Sequence, residues 1–267
     1  MNVVRQLPSP QLRPYLLTAL EGWTQTRGSQ TKLREVPFPG IPLIFGLGGP
    51  WLIEGPETRQ PECHESFVSG LHAAPALVQS ADSSWSCIEL RVTPVAAHRI
   101  LGLPMHELAN RSVALEHLVR GADELSERLR DTESWSERFA LVESFLCRRL
   151  GESEAPAREV EWSWDELRRT AGRAPIGGLA GELGWSHRRL IARFREQIGL
   201  APKAVARVMR FDRAAQALRA PTRGLAEIAY DCGYFDQAHL NRDFRALAGT
   251  TPSAFRASTL DSGGLAA

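Results

Sequence analysis

Two kinds of hydrophobic spacing divide the chain. From residue 8 to about 104, Pro and Gly interrupt the sequence every several residues and the apolar runs are short, at 41–45, 51–53, 66–69, 76–78 and 87–92. Short or alternating apolar runs bounded by turn residues predict strands, here spaced as in a sandwich or small barrel rather than a parallel sheet. The Gly46-Leu-Gly-Gly-Pro50 run lacks the Lys-Ser/Thr of a phosphate loop and leads into Trp51, so it reads as a hairpin turn. A Pro-led segment at 94–103 then predicts a short helix. Beyond it apolar residues recur at intervals of three and four. Leu115, Leu118 and Val119, then Leu125 and Leu129, then Phe139, Val142, Phe145, Leu146 and Leu150 form a buried stripe on successive helices.

The last hundred residues carry a degenerate repeat. Leu179-Ala180-x-x-Leu183-Gly184-Trp185 returns 49 residues later as Ile228-Ala229-x-x-Cys232-Gly233-Tyr234, while Phe194, Gly199 and Pro202 return after 50 as Phe244, Gly249 and Pro252. Each copy predicts two helices around a tight turn. Ile176, Leu179, Ala180 and Leu183 share one face of a first helix, a turn glycine follows, and Ser186 or Asp236 caps the next helix. Leu190 with Phe194, and Leu240 with Phe244, stand four apart and face inward. Outward remain His187, Arg188, Arg189, Ala192 and Arg195 in the first copy, and Gln237, Ala238, His239, Asn241, Arg242 and Arg245 in the second. Arg bonds guanine bidentately, Asn and Gln bond adenine, and small apolar groups touch the thymine methyl, so this inventory suits a major groove. Between the copies, Val205, Val208, Met209, Ala215 and Leu218 predict one helix over 202–219. At 1.5 Å per residue it spans roughly 27 Å, close to the ~34 Å between successive major grooves.

Charge follows the same division. Residues 1–160 carry 16 Lys and Arg against 20 Asp and Glu, whereas residues 161–260 carry 16 against 10. A basic module joined to an acidic one is the footprint of a polyanion binder with a second task. The expected class is α+β. A mainly β, barrel or jelly-roll-like domain occupies 1–108 and a helical segment for packing or dimerisation 109–150. An acidic linker at 151–160 leads to an all-α domain of two helix-turn-helix units joined by a long helix at 161–260.

Residues from about 162 to 256 resemble the DNA-binding domain of AraC/XylS-type transcription regulators, through Leu-Ala-Gly-Glu-Leu-Gly-Trp-Ser (179–186), Ala-Glu-Ile-Ala-Tyr-Asp-Cys-Gly-Tyr-Phe-Asp-Gln-Ala-His-Leu (226–240) and Arg-Asp-Phe-Arg-Ala-Leu-Ala-Gly-Thr-Thr-Pro-Ser-Ala-Phe-Arg (242–256). The resemblance implies base or backbone contacts from Arg188, Gln237, His239 and Arg242. Together with the exposed polar face, it gives a candidate DNA-binding set of Ser186, His187, Arg188, Arg189, Arg193, Arg195, Gln237, His239, Asn241, Arg242 and Arg245. Where the family often has Arg, this chain has Ala192. Either Arg189 and Arg193 take over, or the unit reads shape and methyl groups, and Arg193 is also a candidate phosphate contact. The family's variable half usually binds a small effector, a partner or another subunit.

In the first half, Trp23, Phe38, Phe45, Trp51, Phe67 and Trp85 are candidates either for a pocket lining or for plain core. Glu62, Cys63, His64, Glu65 and His72 have no recognised ligand spacing, so no metal is expected, nor any cofactor. Four well-separated cysteines read as reduced, mostly buried thiols. With no membrane-span run and no signal-peptide layout, a cytoplasmic protein is expected, partnered by duplex DNA, with RNA polymerase, a small effector and a second copy as further candidates. The leading function is a sequence-specific, non-enzymatic transcription regulator. The alternatives are a DNA-repair enzyme carrying the same reader, which needs a reactive Cys, and a protein-interaction module.

Overall fold

The computed structural model describes residues 1–58, 60–220, 223–258 and 265–266. Its β part comprises β1 (Asn2–Gln6), β2 (Leu20–Gln25), β3 (Lys32–Glu35), β4 (Ile41–Gly48), β5 (Trp51–Glu54), β6 (Glu62–His64), β7 (Phe67–Ser69), β8 (Ala76–Ser80), β9 (Trp85–Val92) and β10 (Ser112–Ala114). Helices α1 (Pro94–Leu101), α2 (Ala122–Asp131) and α3 (Trp135–Glu152) follow it. The carboxy-terminal part is α4 (Arg158–Arg169), α5 (Ile176–Glu182), α6 (His187–Ile198), α7 (Pro202–Leu218), α8 (Leu225–Asp231), α9 (Gln237–Ala248) and α10 (Pro252–Ser258), and a last strand β11 (Leu265–Ala266). The α+β reading holds.

Two antiparallel sheets face each other. The first has the order β1-β2-β9-β4-β7-β10 and the second β11-β3-β8-β5-β6. Residues 46–50 do not turn a hairpin: β4 pairs with β9 and β5 with β8, so this run carries the chain from one sheet to the other. The second sheet also receives β11, paired with Leu33 and Arg34 of β3.

Alternation along the first sheet decides what each face meets. In β9, Ile88, Leu90 and Val92 point one way and Cys87, Glu89 and Arg91 the other; in β4, Ile41, Leu43 and Phe45 oppose Pro42 and Ile44. The first set joins Ile100, Leu125, Phe139 and Leu146 from α1 to α3 in one apolar core. Each such fully buried side chain stabilises the fold by about 1.5–3 kcal/mol. The helices begin where the sequence permits: Thr93 accepts a bond from the Ala96 amide at 3.2 Å ahead of Pro94, and Gly102 ends α1. Residues 109–150 thus include a strand, β10, and helices packed on the sheet. The expected linker is narrower than 151–160, because Gly151 and Glu152 complete α3 and Val160, fully buried in α4, belongs to the core.

That core does not stop at the β domain. It runs through Trp164 and Leu167 of α4 into Leu179, Ala180, Leu190, Phe194 and Ile198 of the first helix-turn-helix unit and reaches Val205 and Met209 of α7. The second unit has its own core, built from Phe211, Leu218, Ile228, Leu240, Phe244 and Phe255.

Candidate nucleic-acid interface and an internal cavity

Both repeats fold by the same local device. The amide of Trp185 donates to the Ala180 carbonyl at 2.9 Å, and the amide of Tyr234 donates to Ala229 at 2.9 Å. Gly184 and Gly233 sit inside these turns with φ of 62° and 80°, the left-handed region that a Cβ disfavours. Ser186 Oγ then accepts from the Arg189 amide at 3.2 Å and Asp236 Oδ1 from the His239 amide at 2.6 Å, which satisfies free donors at the starts of α6 and α9. Leu190, Phe194, Leu240 and Phe244 are all fully buried. α7 runs for 17 residues, roughly 25 Å, between the two units.

The inward packing leaves the predicted polar set outside. Ser186, His187, Arg188, Arg189, Arg193 and Arg195 are exposed on α6 and its cap, and Gln237, Arg242 and Arg245 are exposed on α9, with His239 and Asn241 half-buried. These side chains differ in freedom. Arg188, Gln237, Arg242 and Arg245 make no side-chain bond among the described residues. Arg189 lies over Trp185, its guanidinium carbon 4.4 Å from the ring centroid, so the indole holds it in place. Arg193 pairs with Glu196 at 2.8 Å, which lowers its pull on a phosphate. The His239 imidazole accepts from the Phe235 amide at 3.4 Å and stands edge-on to Tyr234, so it braces the start of α9.

Three apolar side chains that sequence reading left out also lie on this part of the surface. Phe235 is 94% exposed just before the α9 cap, Tyr230 is exposed on α8, and Ile191 is exposed on α6 beside Ala192. Their signal was a large apolar residue at a position the repeat marks as outward. Ile191 thus stands exposed next to Ala192, the position at which the resembled family often has Arg.

The opposite face of the first sheet lines a cavity of about 380 Å³ between the sheets. Of the six candidate aromatics, Trp23, Phe38, Trp51, Phe67 and Trp85 line it, and Trp51 meets Trp85 edge-on at 4.7 Å between centroids. Phe45 points the other way, into the helical core, against Phe145. One end is charged. Arg91 Nε donates to Glu89 at 2.7 Å and its guanidinium lies 4.7 Å from the Phe38 ring centroid. Burial works against the Arg91 charge, but Glu89, with Glu35 and Glu21 behind it, holds the proton above the ordinary guanidinium range. Glu35 of β3 is pushed up to about 7 by burial, with the Glu89 charge adding to the shift and Arg91 opposing it. Burial also drives His72 down to about 4, against the opposing pull of Glu57.

Among the described residues no group of three or more His, Cys, Asp and Glu side chains is placed to hold a metal. The cysteines are less uniformly buried than expected: Cys87 and Cys232 are buried, Cys147 is half-buried and Cys63 is exposed. Burial pushes the thiols of Cys87, Cys147 and Cys232 up, opposite to the activation a nucleophilic thiolate needs.

Residues 179–258 match a family model described as a helix-turn-helix domain. They are an AraC-type helix-turn-helix domain. No curated protein matches the chain. Among solved structures, the chain is similar to unsaturated-fatty-acid-bound wild-type ToxT from Vibrio cholerae strain SCE256, at 12% identity and TM-score 0.49, covering 91% of this chain and 95% of that one. It is also similar to the xylose-binding transcription activator xylR, at 18% identity and TM-score 0.34, with 61% and 49% covered. A third similar structure is the AraC-like transcriptional activator CuxR, at 15% identity and TM-score 0.28, with 80% and 86% covered. The AraC-type domain therefore occupies the part of the chain where the repeat, the basic charge and the outward polar set coincide. No helix among the described residues is long and apolar enough to cross a membrane.

Proposed function

We propose that the protein is a transcription regulator that reads duplex DNA with α6 and α9 in two successive major grooves, under the control of a small effector bound between its two sheets. The carrying observation is the duplicated capped turn, which in each unit fixes a helix start and leaves arginines unpaired on its outer face. Arg188, Gln237 and Arg242 act as base readers, with Asn241 and His187 beside them. Arg195 and Arg245, further along the helices, bond phosphate and set the register. Arg189, held over Trp185, acts with Ile191 and Ala192 as the first unit's replacement for the missing arginine, while Arg193, paired to Glu196, contributes a weaker phosphate contact.

The test is selection of binding sites from random duplexes by the full chain, followed by affinity on the selected site over a salt series. The expected result is an enriched site with two half-sites about one helical turn apart and an affinity that falls with log salt at a slope of about −0.9 per phosphate contacted. Binding without salt dependence would point to a protein-interaction module, and salt-dependent binding without an enriched sequence would leave only a nonspecific basic surface.

A further inference from the structure

The charged end of the cavity restricts what can occupy it. Among the described residues Arg91 is the only Lys or Arg in the lining, which Met1 also joins, and its guanidinium is already engaged by Glu89 at 2.7 Å. His72, also in the lining, is uncharged at neutral pH because burial holds it down to about 4. The Glu35 carboxyl makes no hydrogen bond or ion pair among the described residues. When ionised it is therefore a surplus negative charge in a wall that, beyond the Glu89–Arg91 pair, His72 and the hydroxyls of Thr31, Ser69 and Ser112, is built mainly of aromatic and aliphatic groups. Holding an anionic ligand on Arg91 would draw it away from Glu89 and leave the half-buried Glu35 and Glu89 carboxylates beside each other without that counter-ion. A neutral ligand suits the protonated carboxyl but leaves the ionised one uncompensated. A cation meets Glu35 directly and gains from the electron-rich faces of the surrounding rings.

Resting on the proposed effector role of this cavity, we propose that its ligand class is a hydrophobic, ring-containing amine whose protonated nitrogen pairs with the Glu35 carboxylate. The position of that carboxylate suits a signal. Arg34, the preceding residue, has its Nη1 2.9 Å from where a Cβ on Gly249 would lie, and Val36, the following one, packs on the core of the second helix-turn-helix unit. The charge that the ligand neutralises thus belongs to the strand on which that unit rests.

Binding of an ammonium group requires Glu35 to be ionised, so affinity rises with pH up to about 7 and falls about tenfold per unit well below it. The groups facing Glu35 are the paired Glu89 and Arg91 of β9, with Glu21 of β2 and Asp212 of α7 acting on Arg91 from beyond. Cys87, on the same face of β9, is held as the neutral thiol.

The probes are three molecules of one shape, naphthylethylamine, naphthylethanol and naphthylacetate, titrated calorimetrically into the full chain and into Glu35→Gln at pH 5 and pH 8. Expected are amine binding at least about tenfold tighter than either analogue at pH 8, loss of that preference at pH 5 and in Glu35→Gln, and unchanged alcohol affinity in Glu35→Gln, which shows that the variant is folded. Preference for the acid, or an amine preference that survives Glu35→Gln, would overturn the charge assignment and leave the effector cavity standing. Binding of none of the three would overturn both.

Discussion

The two helix-turn-helix units use the same turn, the same kind of cap and the same inward pair of side chains, yet they are mounted differently. The first shares one core with the β domain, from Leu20 and Leu90 through Phe139 to Leu190 and Phe194. The second has a core of its own around Phe211 and Phe244, and reaches the β domain through Val36, the approach of Arg34 to Gly249 and the pairing of β11 with β3. Equal recognition chemistry does not mean equal mechanical freedom. The first unit is held in a fixed attitude to the sheets, and the second is the one whose placement a local change at β3 alters.

Destabilising each core is the most forceful way to challenge that contrast. Phe194→Ala and Phe244→Ala should each cost about 3–5 kcal/mol. Phe194→Ala should lower the denaturation midpoint of the tryptophans in the β domain, whereas Phe244→Ala should leave that transition near its original midpoint and loosen α8 to α10, as read by hydrogen exchange. Equal shifts of the tryptophan signal would break the distinction.

Charge at β3 is the next lever. Glu35, with a folded value of about 7 against 4.5 ordinarily, holds its proton longer in the folded state, so it makes stability fall as pH rises from about 4.5 to 7. His72, with about 4 against 6.5, is the opposite case: the unfolded chain binds the proton, and stability rises with pH across about 4 to 6.5. Each contribution is on the order of 3 kcal/mol, and they oppose one another over most of the range. The wild-type profile should be nearly flat there, and Glu35→Gln should turn it into a curve that rises with pH. A flat profile in Glu35→Gln would refute the opposition.

On DNA the expected effects are smaller. Arg242→Ala should cost roughly 1–3 kcal/mol on the selected site and relax one position, while Arg245→Ala weakens all sequences alike and lowers the salt slope by about 1. Equal losses on selected and random duplexes for both variants would remove Arg242 from the base readers. Least of all, Ser186→Ala and Asp236→Ala should each cost about 1 kcal/mol, seen as a lower midpoint in thermal unfolding.

The reader was legible because a repeated turn leaves a repeated record: a glycine, a cap and two aromatic or aliphatic residues four apart. The β domain was legible only where strands are buried on one face or both, as in β4 and β9. β3 reads Lys-Leu-Arg-Glu and β6 spans three residues, so neither shows a run of alternation long enough to register. The cavity's charged end was hidden for another reason. Alternation in β9 already sets Cys87, Glu89 and Arg91 on one face, but only sheet-to-sheet packing brings Glu35 to them, and the crossing at 46–50 that creates the packing resembles a hairpin in sequence.

The continuous core also bears on how regulators of this architecture can be recombined. A graft joined at residues 153–157, inside the 151–160 seam suggested by composition, would part Phe139 and Leu146 from Leu190 and Phe194 and give each half an apolar surface that its new neighbour did not evolve to cover. α7 is the better joint, since Val205 and Met209 belong to one core and Phe211 and Leu218 to the other. A chimera that exchanges the chain from Phe211 onward would bring in the second unit with its own core, together with β11 of the second sheet and Asp243, the partner of Arg207, and leave the first unit on the sheet and helices that grip it. In this protein, the module that inheritance or engineering can swap is one helix-turn-helix unit, not the pair.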